Sequence, residues 1–149
     1  MKIPLKYGLL ITLVVVAWIM IVHYVLKISP ESKFNLVAPL LFNLAQLFLI
    51  FSGIRERKGE LDDRFTFREG VRTGTSISLV YAISVCLFFL IHLLVAGPGM
   101  LMSDMGATGG SVWPAALKAF AGLFLGSMIF GVIYSALSAF VLARQRTEE

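Results

Sequence analysis

Two histidines and a cluster of methionines carry most of the coordination chemistry available to this sequence. Met100, Met102 and Met105 stand in a Met-x-Met-x-x-Met spacing. Thioethers are soft ligands that select Cu(I) over harder divalent ions, and His92, a few residues upstream, can add an imidazole to such a set. The same methionines serve as flexible apolar side chains in an irregular interfacial segment, and that packing role is the expected one. His23 and His92 lie near corresponding ends of two hydrophobic runs. A bis-imidazole haem site between two helices is the chemistry such a pair can do. No further haem signature accompanies them, so two interfacial histidines are expected, with no cofactor.

A second constellation is neutral. Asn35, Pro39, Asn43 and Gln46 follow one another at intervals of four, four and three residues, which places them on one helical face. Asn43 and Gln46 fall near the middle of their run, and Tyr81 and Tyr134 should lie at comparable depth. This polar intramembrane cluster predicts hydrogen bonds between helices that set their register, worth about 0.6 kcal/mol each on average. The alternative is a polar lining for a small-solute path or a lipid-headgroup pocket. Four helices enclose little space, so that alternative requires an oligomer. A lone cysteine, Cys86, excludes an internal disulfide and a paired-thiol mechanism, and reads as a small packing residue.

These side chains sit on elements that the hydrophobic pattern defines. The chain has 149 residues, of which 58% are hydrophobic and 15% charged, against about 25% charged in an ordinary soluble domain. A membrane span needs about 20 predominantly apolar residues. Four runs meet that length, at about 7–26, 36–54, 74–95 and 119–143. With backbone hydrogen bonds unavailable from lipid, runs of this kind are helices. The expected fold is therefore all-α, one integral-membrane four-helix bundle over residues 1–149. The first run is too long for a signal-peptide core and no small-x-small cleavage site follows it, so it is expected to stay as an anchor.

Ten of the thirteen Lys and Arg, among them Lys2, Lys6, Arg55, Arg57, Lys58, Arg72 and Arg144, fall on one side of these spans. Lys27, Lys33 and Lys118 fall on the other. The positive-inside rule makes the richer side cytoplasmic, with both termini there. Residues 55–73 then form a cytoplasmic loop, and 27–35 and 96–118 form outer loops. Within the cytoplasmic loop, Gly59 predicts a turn. Thr66 and Glu69 have the capping-box spacing that starts a helix near Phe67. Trp113 and Pro114 predict an interfacial anchor and a proline in the first turn of the fourth helix. The net charge of +4 reports topology and contact with anionic headgroups. Acidic residues interleave with the basic ones of the loop, so no nucleic-acid face is expected.

Small residues recur every fourth position. Gly70, Gly74, Ser78, Ala82 and Cys86 form one ridge, and Ser127, Gly131, Ser135, Ala139 and Ala143 form another. Such ridges allow close helix approach in membranes, so helices three and four should pack along them. Gly122 and Gly126 make a GxxxG on a neighbouring face, suited to a homodimer.

Lys6-Tyr7-Gly8-Leu9-Leu10, Gly53-Ile54-Arg55, and Phe65-Thr66-Phe67-Arg68-Glu69-Gly70 with Arg72-Thr73-Gly74 carry a resemblance. The chain resembles the bacterial inner-membrane family catalogued as domain of unknown function four-one-nine-nine. The resemblance spans essentially the whole chain through short motifs. It implies a four-helix protein of a bacterial inner membrane and implies no activity, substrate or catalytic residue. The Gly-rich outer loop departs from the group's pattern.

No Asp, Glu, Lys or Arg lies within the four expected spans. Intramembrane ionisable residues mark proton relays, ion paths and voltage sensors, so those functions are disfavoured, as is hydrolysis by a buried catalytic set. The expected role is non-enzymatic: a scaffold or accessory subunit whose partners are the lipid bilayer and a homo-oligomer or larger membrane complex. An oligomeric channel or transporter and an outer-side metal or haem site are the alternatives.

Overall fold

The computed structural model describes residues 2–27, 37–97 and 112–144. Every described element is helical. Helix α1 is Lys2–Met20, continued by a π-helical turn over Ile21–Val25 that closes with Leu26 N–H on the Ile21 carbonyl at 2.9 Å. Helix α2 is Val37–Leu61, α3 is Phe67–Ala96 and α4 is Val112–Arg144. All four are long and apolar enough to cross a membrane.

The helices outrun the apolar runs that announce them. Helix α1 begins at Lys2 rather than near residue 7, with Pro4 in its first turn, where a missing N–H costs no intrahelical bond. Helix α2 continues past residue 54 to Leu61, and the turn expected at Gly59 is absent. Its charged extension has its own supports. Arg57 pairs with Glu60 at 2.7 Å one turn on, and the Lys58 ammonium donates to the Leu142 carbonyl on α4 at 2.9 Å. Glycine in a helix interior costs about 1 kcal/mol relative to alanine, and these contacts offset it. The chain turns instead at Asp62–Arg64, a short 3-10 segment in which Asp62 takes φ 46°. Asp tolerates that left-handed region better than most residues.

The start of α3 follows the capping chemistry. Thr66 is extended at φ −122°, ψ 159°, and its hydroxyl oxygen accepts the Glu69 N–H at 3.3 Å. At the other end, Gly97 adopts φ 81° while its N–H donates to the Leu93 carbonyl at 3.1 Å, a geometry that suits a residue without Cβ. Helix α4 starts at Val112, so Trp113 and Pro114 lie in its first turn and residues 112–118, expected in a loop, are helical.

The helices alternate in direction. Lys6 meets Glu56, Lys58 meets the Leu142 carbonyl and Gly70 faces Ala139. Hence the start of α1, the end of α2, the start of α3 and the end of α4 share one end, which also carries most of the described Lys and Arg. Around the bundle the order is α1, α2, α4, α3. Helices α2 and α3 also touch across the middle, and α1 and α4 stand at opposite corners without contact among the described residues. The most extensive contact is between α3 and α4.

The core is aliphatic, with Ile11, Ile50, Ile54, Ile77 and Val85 buried together around Tyr81. The outside is apolar too: Leu13, Phe48, Ile91 and Leu117 are each 60% or more exposed. An apolar surface of that extent, all round a four-helix bundle, fits lipid as solvent and a multi-pass membrane protein. Met100, Met102 and Met105, with Lys33 and Asn35, lie outside the described residues.

Candidate functional site

The α3–α4 contact is built on reciprocal notches. A Cβ added at Gly74 would collide with the Ser135 side chain, and one added at Gly131 would collide with that of Ser78. Each glycine therefore leaves the space that a serine of the other helix fills. Each serine also satisfies itself: the Ser78 hydroxyl donates to the Gly74 carbonyl at 3.0 Å, and Ser135 donates to the Gly131 carbonyl at 2.5 Å. Back-bonding to the preceding turn removes the penalty of a buried hydroxyl. Both serines, and Ala82 one turn along from Ser78, are fully buried. The next step toward the basic end places Gly70 against Ala139, where an added Cβ would stand 2.6 Å from the Ala139 Cβ. The two ridges thus meet in antiparallel register. Gly122 and Gly126 take no part, since a Cβ at either would meet nothing within 4 Å.

The amides of α2 close over this contact. Gln46 is buried, and its side-chain nitrogen donates to the Ser127 carbonyl on α4 at 3.1 Å. The same nitrogen is 3.2 Å from where a Gly131 Cβ would be. Asn43 donates to the Pro39 carbonyl of its own helix at 2.8 Å and accepts from the Tyr134 hydroxyl at 3.0 Å. The expected pairing of α2 amides with tyrosines therefore exists for Asn43 and Tyr134. For Gln46 the partner is the Ser127 backbone, because this amide lies deeper and reaches the helix itself. Tyr81 is buried on α3, and among the described residues it pairs with neither amide. Ser127, which sequence spacing marks only as a packing residue, ties α2 to α4 through its carbonyl. No sealed polar side-chain atom among the described residues is left without a partner.

At the two ends the polar chemistry differs. On the end opposite the charges, His92 Nε2 lies 3.3 Å from the Tyr24 hydroxyl, and the Phe88 ring lies 6.1 Å from the imidazole. A phenol is thus the described neighbour of that nitrogen. Among the described residues no three His, Cys, Asp or Glu side chains are grouped to hold a metal. Cys86 points its thiol at the Phe120 carbonyl, 3.9 Å away on α4.

At the basic end, one oxygen of Glu56 accepts from both the Lys6 ammonium and the Tyr7 hydroxyl, each at 2.7 Å. The Lys6 nitrogen also lies 4.9 Å from the centre of the Tyr7 ring. These contacts tie α1 to α2 where the charged segment begins. Composition alone signals Glu56 only as one of several acids balancing the loop. Beside this cluster, α1, α2 and α3 leave a cavity of about 530 Å³. Gly8 is a further position that spacing does not mark: a Cβ there would stand 2.6 Å from Val80 on α3.

Comparison with protein-family models, with curated proteins and with solved structures found no match.

Proposed function

We propose that this chain is a non-enzymatic scaffold or accessory subunit of a bacterial inner membrane. It packs against lipid and against other membrane proteins or copies of itself, with its basic end and both termini in the cytoplasm. The observation that carries this reading is that the mid-bundle amides, Gln46 buried and Asn43 half-buried, are already engaged by α4. Asn43 and Gln46, the side chains most suited to line a path, are engaged with Tyr134 and Ser127 of α4. A transported solute needs polar groups free to replace its hydration, whereas these are committed to holding helices in register.

The orientation follows from the positive-inside rule applied to the Lys and Arg of the helix ends. The bacterial inner membrane follows from the resemblance to the family of domain of unknown function four-one-nine-nine. The exposed surface supports association. Gly122 on α4 is exposed and its neighbour Gly126 partly so, and a Cβ at either would meet nothing within 4 Å among the described residues; small residues of that spacing favour helix–helix contact in lipid.

The test is chemical cross-linking in intact membranes followed by gentle solubilisation and mass analysis. The expected result is a defined species, either a homo-oligomer or a complex with a partner in fixed stoichiometry. A protein that remains monomeric and alone across cross-linker lengths would overturn the scaffold reading.

A further inference from the structure

We propose that the cavity at the basic end binds a phosphoryl group bearing one negative charge, such as the phosphodiester of a phospholipid headgroup. The cavity, about 530 Å³, opens where the first turn of α1, the last turns of α2 and the first turns of α3 converge. Its charged lining is Lys2, Arg57 and Arg72 with Glu60 and Glu69, an excess of one positive charge. That excess is not spread evenly. Arg57 is held by Glu60 at 2.7 Å. Arg72 is held only loosely by Glu69, at 4.0 Å. Lys2 pairs with no carboxylate among the described residues.

Two further features favour an anion. Residues Lys2, Ile3 and Pro4 of the 19-residue α1 lie on the cavity wall, Lys2 and Ile3 with backbone N–H groups and Pro4 without one, and the first turn of α1 contains no acidic residue. The opening N–H groups of a helix have no acceptor within it and carry the positive end of its dipole, the arrangement that binds phosphate elsewhere. The second is Thr73. It is 7% exposed, lines the cavity, and makes no hydrogen bond among the described residues. Since no sealed polar atom there is unpartnered, the Thr73 hydroxyl reaches the cavity and can donate to a ligand oxygen.

A single negative charge matches the lining better than two. A dianion would face Glu60 and Glu69 at short range, whereas a phosphodiester is balanced by the one cation without a partner. Ile3 and Pro4 supply an apolar side to the same space, suited to the glycerol carbons beside a headgroup phosphate. None of this depends on which side of the membrane the basic end faces, nor on the scaffold reading.

The experiment uses the full chain in mild detergent and native mass spectrometry with dihexanoyl phosphatidylglycerol, with dihexanoylglycerol as the control that keeps the acyl chains and lacks the phosphoglycerol headgroup. Lys2→Gln and Thr73→Val are each expected to lower phospholipid retention roughly five- to tenfold. Thr73→Ser and Lys118→Gln, the latter at the opposite end, should retain it like wild type. Lys2→Gln alters an exposed residue, so it keeps the test decisive if Thr73→Val disturbs packing. Displacement of the lipid by millimolar inorganic phosphate would support the phosphoryl site and make free phosphate a competent occupant. Failure of displacement would support it as a headgroup site. Equal phospholipid retention by all variants, or equal retention of dihexanoylglycerol, would overturn the proposal.

Discussion

A methyl group added at Gly131 would enter the space that the Ser78 side chain occupies, and the same group at Gly126 would meet nothing within 4 Å. Two glycines five residues apart on one helix thus predict opposite behaviour. Gly131→Ala forces Ser78 or the α3 backbone to move, for which an overpacking cost of about 1–3 kcal/mol is typical. Gly126→Ala gains helix propensity, worth up to about 1 kcal/mol, with no clash. Unfolding in mixed detergent micelles should rank Gly131→Ala below wild type and Gly126→Ala level with it or above. If the two variants unfold alike, close approach of α3 and α4 at Gly131 is not what holds them. The four-residue spacing of small side chains made both ridges legible in the sequence, because a helix returns to the same face at that interval. The pairing of Gly74 with Ser135 and of Ser78 with Gly131 was not legible. It depends on how far α4 slides along α3, and spacing within each helix carries no information on that offset. The same holds for Gln46, whose acceptor is a backbone carbonyl rather than a side chain of recognisable type.

At the scale of elements, charged residues misled where apolar ones did not. Hydropathy ends α2 near residue 54, yet the helix runs to Leu61, since helix formation needs backbone bonds and not apolar side chains. The Arg57–Glu60 pair and the Lys58 bond to α4 are contacts that a hydropathy average cannot register. Capping chemistry was readable because it is local: Thr66 and Glu69 stand three residues apart and form the expected bond. Removing that bond should fray the start of α3. Thr66→Ala is expected to cost about 1 kcal/mol, and amide hydrogen exchange at Phe67–Gly70 should speed up while the centre of α3 stays protected. Unchanged exchange at those amides would mean that tertiary contacts, such as Gly70 against Ala139, hold the turn without its cap.

Taken whole, the molecule is an apolar-surfaced bundle with a closed polar interior and one charged end. The proposed orientation predicts that a reporter fused at the C-terminus reads cytoplasmic and that one inserted within residues 98–111 reads external. The reverse pattern would invert the topology while leaving the packing argument intact. Central to the account is that α2 turns its amides into the bundle to hold helices together and does not expose them to a water-filled path. Cysteine accessibility addresses this most directly. In a Cys86→Ser background, Asn43→Cys and Gln46→Cys are each treated in membrane vesicles with a charged, membrane-impermeant thiosulfonate, from either side in turn. Arg68→Cys, at the exposed start of α3, serves as the reactive control. The predicted result is rapid labelling at residue 68 from one side and none at 43 or 46 from either. Labelling of both 43 and 46 at rates near that of 68 would place water along α2 and contradict the closed interior.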